Sequence, residues 1–438
     1  MRYRKFVLAL FLPLISVAVF GQTKQETIES LKKEIAELKM VSATKFEKLE
    51  NQLKELLVKI QKTEKEDEMK KLLEMAKSLS QQKKGKKASM DRKFHSGLRT
   101  QSALNPNISL GGDYYFAYGT SQSDYNRLPS ELSWGTGQMF LREMEMGLQS
   151  ALDPFSRAKV FISFGREGVV LEEGYMQLLN MPLNMNLKMG EYKTQFGKLN
   201  RYHDHALPQF ERPLVLTNFF GLTSLKGFGI AANFLLPSIT ANVNELDLEF
   251  ITGGVDQSFT SGGKHNLIYV AHFKNYYDLN RSTYFEIGLS GAMGYNESHE
   301  NYKTIIGGAD LSLKWAPPDR VKYRGIEWRT EFLYSKMEQS NETINSWGFF
   351  SSIQFKLNAK WFASGRIDYS QIPKNNNIED WKKNLDEKGF AVCFDYWQSE
   401  FVFFRFQYTY IDRNFDENDS RFIFQTNWAM GPHKHEAY

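Results

Sequence analysis

From residue 107 to the C-terminus, side chains alternate with a period of two, and this limits the fold more than any other feature of the chain. In Phe401–Asp412 one face carries Val402, Phe404, Phe406, Tyr408 and Tyr410, and the other carries Arg405, Gln407 and Thr409. Successive side chains of an extended strand point to opposite sides, so this segment is an apolar wall backed by a polar one. Ile326, Trp328, Phe332 and Tyr334 alternate in the same way with Glu327, Arg329 and Glu331. Phe285, Ile287 and Leu289 alternate with Tyr284, Glu286 and Ser290, and Leu183, Met185, Leu187 and Met189 with Asn184, Asn186 and Lys188. About sixteen segments of this kind fit between residues 107 and 438. Their starts fall near residues 107, 139, 156, 169, 183, 225, 241, 264, 281, 304, 322, 345, 360, 388, 399 and 418.

The connections alternate as well. Short links fall at Asp153–Pro154, Met181–Pro182, Leu236–Ser238, Asp278–Asn280, Pro317–Asp319, Asn358 and Gln398–Ser399. Longer polar stretches lie between them, at 120–138, 194–222, 253–263, 295–303, 336–344, 371–387 and 412–417, with the short Gly165–Gly168 link as the exception. A membrane barrel has short periplasmic turns and long external loops, whereas a soluble sandwich has no reason to sort its loops by length. The expected fold is therefore an all-β transmembrane barrel of about 16 antiparallel strands. Tyr114, Tyr115, Trp315, Trp347, Trp361, Tyr396, Trp397 and Trp428 are expected near strand ends, as lipid-interface girdles.

Residues 1–21 read as a secretory signal, with Arg2, Arg4 and Lys5 ahead of an apolar run from Phe6 to Phe20 and small residues at Val19 and Gly21. No later stretch approaches the roughly 18–20 consecutive apolar residues of a membrane helix, so any bilayer crossing is by strands. Residues 22–82 read as an α-helical coiled-coil stalk. From Thr23 to about Gln82 there is no Pro or Gly, and Ile28, Leu31, Ile35 and Leu38, then Phe46, Leu49, Leu53, Leu56 and Ile60, recur at alternating steps of three and four. So narrow a seam implies self-association, the other reading being an amphipathic helix lying along another domain. Residues 83–106 form a basic linker around Gly85. Charge divides the same way, about +10 over residues 1–100 and about −6 over the rest. The stalk lysines interleave with glutamates at helical spacing rather than with aromatics, which argues against nucleic acid as a partner. An even strand number puts both ends of the barrel in the periplasm, and the stalk with them. A lone cysteine, Cys393, excludes an intrachain disulfide framework.

The longest connection, about 194–222, is the third external loop. Its Phe and Leu residues are interspersed with Lys198, Arg201, His203, Asp204, His205, Glu211 and Arg212. That mixture suits a loop folded into the lumen, where its charges constrict a pore. Inward strand positions of mixed sign, Glu327, Arg329, Glu331, Arg366, Asp368 and Arg405, would line the same lumen. The reading that follows is a channel for passive diffusion of small hydrophilic solutes or ions, weakly selective or cation-leaning.

Three segments carry a family resemblance: REMEMGLQSALDPFSRAKVFISFG (Arg142–Gly165), GEYKTQFGKLN (Gly190–Asn200) and ERPLV (Glu211–Val215). Over roughly residues 105–438 the chain resembles porins grouped with the phosphate-selective porins O and P. It is most similar to a branch of uncharacterised homologues sometimes labelled zinc-regulated outer-membrane receptors. The resemblance implies a sixteen-stranded subunit in a homotrimer, joined through barrel and coiled coil, with no cofactor, in the outer membrane of a Gram-negative bacterium. Phosphate selectivity depends on lumen ladders of Arg and Lys, so the mixed signs here do not carry it over.

Other functions have weaker footholds. His203 and His205, with Asp204 between them, and His433 and His435, with Glu436 beside them, offer imidazoles next to carboxylates, as zinc-linked uptake would require; ordinary polar loop and tail residues would look the same. The stalk offers a tether to peptidoglycan or a periplasmic partner. An enzyme would need a nucleophile and a base on the wall, and His272 is the only obvious base there, with no serine motif beside it.

Overall fold

The computed structural model describes residues 106–121, 137–165, 168–253, 257–260, 266–373 and 384–431. The signal-like start, the coiled-coil stretch, the linker up to residue 105 and the tail with His433, His435 and Glu436 lie outside the described residues. Sixteen strands run in chain order. They are β1 (Asn107–Gly119), β2 (Gln138–Asp153), β3 (Ser156–Gly165), β4 (Gly168–Met181), β5 (Met185–Lys193), β6 (Lys226–Leu236), β7 (Val243–Thr252) and β8 (Leu267–Asn280). They continue as β9 (Thr283–Tyr295), β10 (Lys303–Trp315), β11 (Gly325–Glu338), β12 (Thr343–Lys356), β13 (Trp361–Gln371), β14 (Asp386–Trp397), β15 (Val402–Arg413) and β16 (Asp419–Met430). Every start falls within three residues of the position that alternation gives.

Each strand pairs antiparallel with its neighbours in sequence, and β1 closes on β16 with Leu110 opposite Met430 and Gly119 opposite Arg421. Closure removes the unpaired edges that a sheet would otherwise present, the condition for crossing lipid with strands. Outward positions carry exposed Phe228, Phe250, Ile305, Phe332, Ile367, Phe394, Phe406 and Phe422. Inward neighbours such as Arg329, Glu331, Arg366, Asp368, Arg405 and Gln425 are buried. In β15 the alternation is complete, with Phe406 exposed between buried Arg405 and Gln407.

Local departures from alternation have local causes. Leu183 and Asn184, assigned to a strand by pattern, form a tight turn before β5 with Asn180, Leu183 and Asn184 at positive φ. Two of the expected girdle aromatics face inward. Tyr115 is buried against Phe140, with ring centroids 5.3 Å apart, and Trp397 stacks on buried Phe403 at 4.9 Å. β-Bulges interrupt the registers of β1 with β2 and of β3 with β4. In the first, Asp113 faces Glu143 and Tyr114 faces Leu141, leaving Arg142 as the extra residue; in the second, Phe161 faces Glu173 and Ile162 faces Leu171, leaving Glu172. An inserted residue resets which side of the wall later side chains face.

Candidate functional site

The β5–β6 connection enters the barrel and is fastened there by its own feet and by the wall. Asn200 joins the feet. Its amide nitrogen donates to the Thr194 carbonyl (3.0 Å) and the Leu225 carbonyl (3.0 Å), and its amide oxygen accepts from the Leu225 N–H (2.8 Å). Wall side chains satisfy much of the remaining loop backbone. Glu249 on β7 accepts from the Gln195 N–H at 2.8 Å, and Ser290 on β9 accepts from the Gly197 N–H at 2.9 Å. On β11, one oxygen of Glu331 accepts from Lys198 N–H (3.1 Å) and Leu199 N–H (2.9 Å). Gln407 on β15 and Asp368 on β13 take the N–H groups of Phe210 (2.7 Å) and Leu214 (3.2 Å). Guanidiniums take the carbonyls: Arg142 that of Phe210 (3.1 Å), Arg405 that of Leu207 (3.1 Å) and Arg366 that of Glu211 (2.6 Å). Each buried backbone group left unpaired would cost about 1–3 kcal/mol, so this side-chain lining stands in for the sheet or water that a loop normally uses.

Apolar packing adds to this. A seven-residue helix, α1 (Leu214–Phe220), follows Pro213 and is buried on every side. Phe219 and Phe220, with Phe196, Leu199, Tyr202, Leu207, Val215 and Leu216, pack on inward Ile251, Ile268, Val270, Ile306, Leu333 and Phe350. The Phe196 and Phe220 rings meet edge to face at 5.0 Å, and Phe196 lies where a side chain on Gly308 would stand. Phe210 has its own bed of Tyr115, Ala117, Phe140 and Ile423.

Five of the residues singled out by sequence, Asp204, Glu211, Arg212, Arg366 and Asp368, gather around a cavity of about 210 Å³ between the loop and the wall of β2 and β13–β16, together with Arg142 and Arg421, which pattern reading passed over. Asp204, Glu211 and Arg212 line it from the loop, and Arg142, Arg366, Asp368 and Arg421 from the wall. These charges are paired: Arg212 with Asp204 at 2.7 Å, Arg142 with Asp204 at 3.3 Å, Arg366 with Asp368 at 2.7 Å and Arg421 with Glu211 at 2.6 Å. Burial opposes ionisation of Asp204, but Arg212 and Arg142 outweigh it and hold the carboxyl below its ordinary range. The others lie elsewhere in the lumen. Lys198 reaches Glu286 at 3.1 Å, and its pKa is lowered because burial outweighs that partner. Arg201 bonds Gln195 at 2.9 Å, Glu327 pairs with Arg329 at 2.6 Å, and Arg405 pairs with Asp395 at 2.8 Å. Glu331, Arg366 and Arg405 are thus fasteners of the loop as much as lining of a passage. His272 faces inward, 3.2 Å from Asp310, and the hydroxyl of its cross-strand neighbour Ser290 is already engaged by Gly197.

His203 and His205 meet carboxylates that pattern reading passed over. His203 Nδ1 lies 2.7 Å from Glu145 and its Nε2 3.1 Å from Glu173, while His205 Nδ1 lies 3.2 Å from Glu143 and 3.8 Å from Glu145. For His203, burial works against the charged ring, and so does Lys193, but Glu145 and Glu173 raise its pKa to about 9. His205 is raised too, burial again opposing and Glu145 and Glu143 prevailing. The signal for the missed carboxylates was present: Glu143 and Glu145 alternate with Met144 and Met146, the signature of a lumen face. The bulge at Arg142 then brings Arg142 and Glu143, adjacent in sequence, onto the same side.

No protein-family model matches the chain. An uncharacterized protein of Aquifex aeolicus (strain VF5) is 27% identical over 334 residues, covering 67% of this chain and 68% of the relative. Solved structures of similar fold include OprB of Pseudomonas putida, at TM-score 0.53 and 8% identity over 76% of this chain and 96% of that one. The outer-membrane channel DcaP of Acinetobacter baumannii superimposes with TM-score 0.51 and 10% identity over 75% and 98%. OmpF of Salmonella typhi does so with 0.51 and 8% over 75% and 99%. The fold is that of outer-membrane β-barrels.

Proposed function

We propose that the chain is an outer-membrane channel for passive diffusion of small hydrophilic solutes or ions, with the β5–β6 loop constricting its lumen. The observation that carries this reading is the loop itself. It is tied into the lumen by side chains from at least seven strands and leaves a cavity at which ion-paired arginines and carboxylates stand beside Leu214, Leu222 and Ile411. Paired charges of both signs wet a passage without committing it to one ion. The family resemblance supports a homotrimer, and the coiled-coil seam of residues 22–82 would supply a further trimer contact in the periplasm. It does not support phosphate specificity, because the guanidiniums at the cavity are engaged by Asp204, Glu211 and Asp368. Purified protein inserted in planar bilayers should pass a steady ohmic current. Deletion of residues 198–221 should raise single-channel conductance. A folded barrel that inserts and carries no current refutes the channel; a conductance unchanged by the deletion refutes the constriction.

A further inference from the structure

We propose that Glu145, His203 and His205, with Glu143 beside them, form a site for a divalent transition-metal ion of zinc's class, which clips the lumen loop to strand β2. Candidate ligand atoms of Glu145, His203 and His205 lie within 4.8 Å of one another, and all three residues are buried. Glu145 Oε2 stands between the two rings, 2.7 Å from His203 Nδ1 and 3.8 Å from His205 Nδ1, and Glu143 Oε1 is 3.2 Å from that second nitrogen. Zinc bonds of about 2.0–2.2 Å to imidazole and carboxylate place tetrahedral ligand atoms about 3.3–3.5 Å apart. The separations of Glu145 Oε2 from the two imidazole nitrogens, 2.7 and 3.8 Å, bracket that value.

A cavity of about 10 Å³ lies beside the group, lined by Asp113, Glu143, Glu145, His205 and Asn427 but not by His203. The outer support of a metal ligand is also present, since the far nitrogen of His203, Nε2, is 3.1 Å from Glu173. A carboxylate behind a ligating imidazole fixes its tautomer and orientation, the usual support of a metal-bound histidine. Two imidazoles with a carboxylate favour zinc's class over calcium or magnesium, which take oxygen ligands. Glu145 comes from the wall and both imidazoles from the loop, so the role assigned to the ion is structural. The site would cross-link Glu145 of the wall to His203 and His205 of the loop, beside the bond from Arg142 to the Phe210 carbonyl.

The site rests on the loop's place in the lumen and not on the channel reading. Metal content is the readout, so failure here leaves that reading standing. Full-length protein extracted in detergent, stripped with chelator and dialysed against Zn²⁺ should retain one zinc per chain. The double variant His433→Ala/His435→Ala, which removes the tail imidazoles, should retain it too. Glu145→Gln and His203→Ala should weaken zinc binding at least 100-fold, and Glu173→Gln roughly 10- to 100-fold through loss of the orienting carboxylate. Heat-modifiable migration on gels checks that each barrel is folded. Should His203→Ala fail to fold, Co²⁺ loaded into the wild-type chain and into Glu173→Gln decides instead: the intense visible absorption of tetrahedral cobalt is expected in the former and diminished in the latter. The proposal is overturned by a wild-type chain that holds no zinc, by loss of the zinc in the tail variant, by wild-type affinity in folded Glu145→Gln, or by octahedral cobalt.

Discussion

Asn200 shows how much one side chain can hold where a loop is buried inside a barrel. Its amide makes bonds to both feet of the loop, accepting from the Leu225 N–H and donating to the carbonyls of Thr194 and Leu225. Asn200→Ala strands the Leu225 N–H in a buried place, at a cost of about 1–3 kcal/mol. Hydrogen exchange at the Leu225 amide should accelerate roughly 5- to 150-fold, while amides of the β10–β12 ladder keep their wild-type rates. Equal acceleration throughout the barrel would mean that the loop and the wall open together, and unchanged exchange at Leu225 would remove Asn200 from the role. Nothing in the sequence marked this residue, because its partners are backbone atoms 6 and 25 positions away and pattern reading follows only side chains. Gly197 is similar. Its φ of +59° and a space that a Cβ would contest with the Glu331 carboxylate both require glycine, yet they depend on a strand more than a hundred residues distant.

Strands were legible because each is a local object with a period of its own. Their starts, the sorted connections and the lumen loop could all be read from alternation and from the mixture of Phe and Leu with charge in 194–222. What alternation could not supply is phase across a bulge. Arg142 and Glu143 share the lumen side although they are adjacent in sequence, because pairing with β1 skips a residue there. α1 was invisible for a different reason: LVLTNFF is only seven residues long and buried on every side, Thr217 and Asn218 included, with no stripe to give a helical period away. Its burial in turn predicts how the loop fails. Phe220 is fully buried against Phe196, so Phe220→Ala should cost about 3–5 kcal/mol, charged to the loop because the strand ladder does not pass through it. Trypsin should then cut the folded variant at Lys198, Arg201 or Arg212 under conditions that leave the wild-type chain whole, with the barrel still heat-modifiable. Resistance equal to wild type would show that wall hydrogen bonds alone suffice.

At the scale of the whole molecule, summed charge and local charge give different expectations for ion flow. The chain beyond residue 100 carries about −6, which by itself favours cations. At physiological ionic strength, however, charges act over about 8 Å, so a permeating ion responds to the lining of its narrowest passage rather than to the total. At the proposed constriction, four guanidiniums, Arg142, Arg212, Arg366 and Arg421, face three carboxylates, Asp204, Glu211 and Asp368, and the pairs lie within 2.6–3.3 Å. A reversal potential close to zero in a KCl gradient is therefore expected of the wild-type channel. Glu211→Gln changes that balance to four against two and frees one side of Arg421, which keeps Asp419 as a partner. A unit charge about 4 Å from a passing ion is worth about 1 kcal/mol in water-like surroundings, a roughly fivefold change in permeability ratio. The reversal potential of Glu211→Gln should therefore move toward chloride, and that of Arg421→Gln toward potassium. Opposite displacements from a near-neutral wild type would locate the filter at this pair, because a distributed field of the whole barrel would scarcely register either change. If both variants keep the wild-type potential, ions pass somewhere other than the cavity between loop and wall, and the constriction must be sought elsewhere in the lumen.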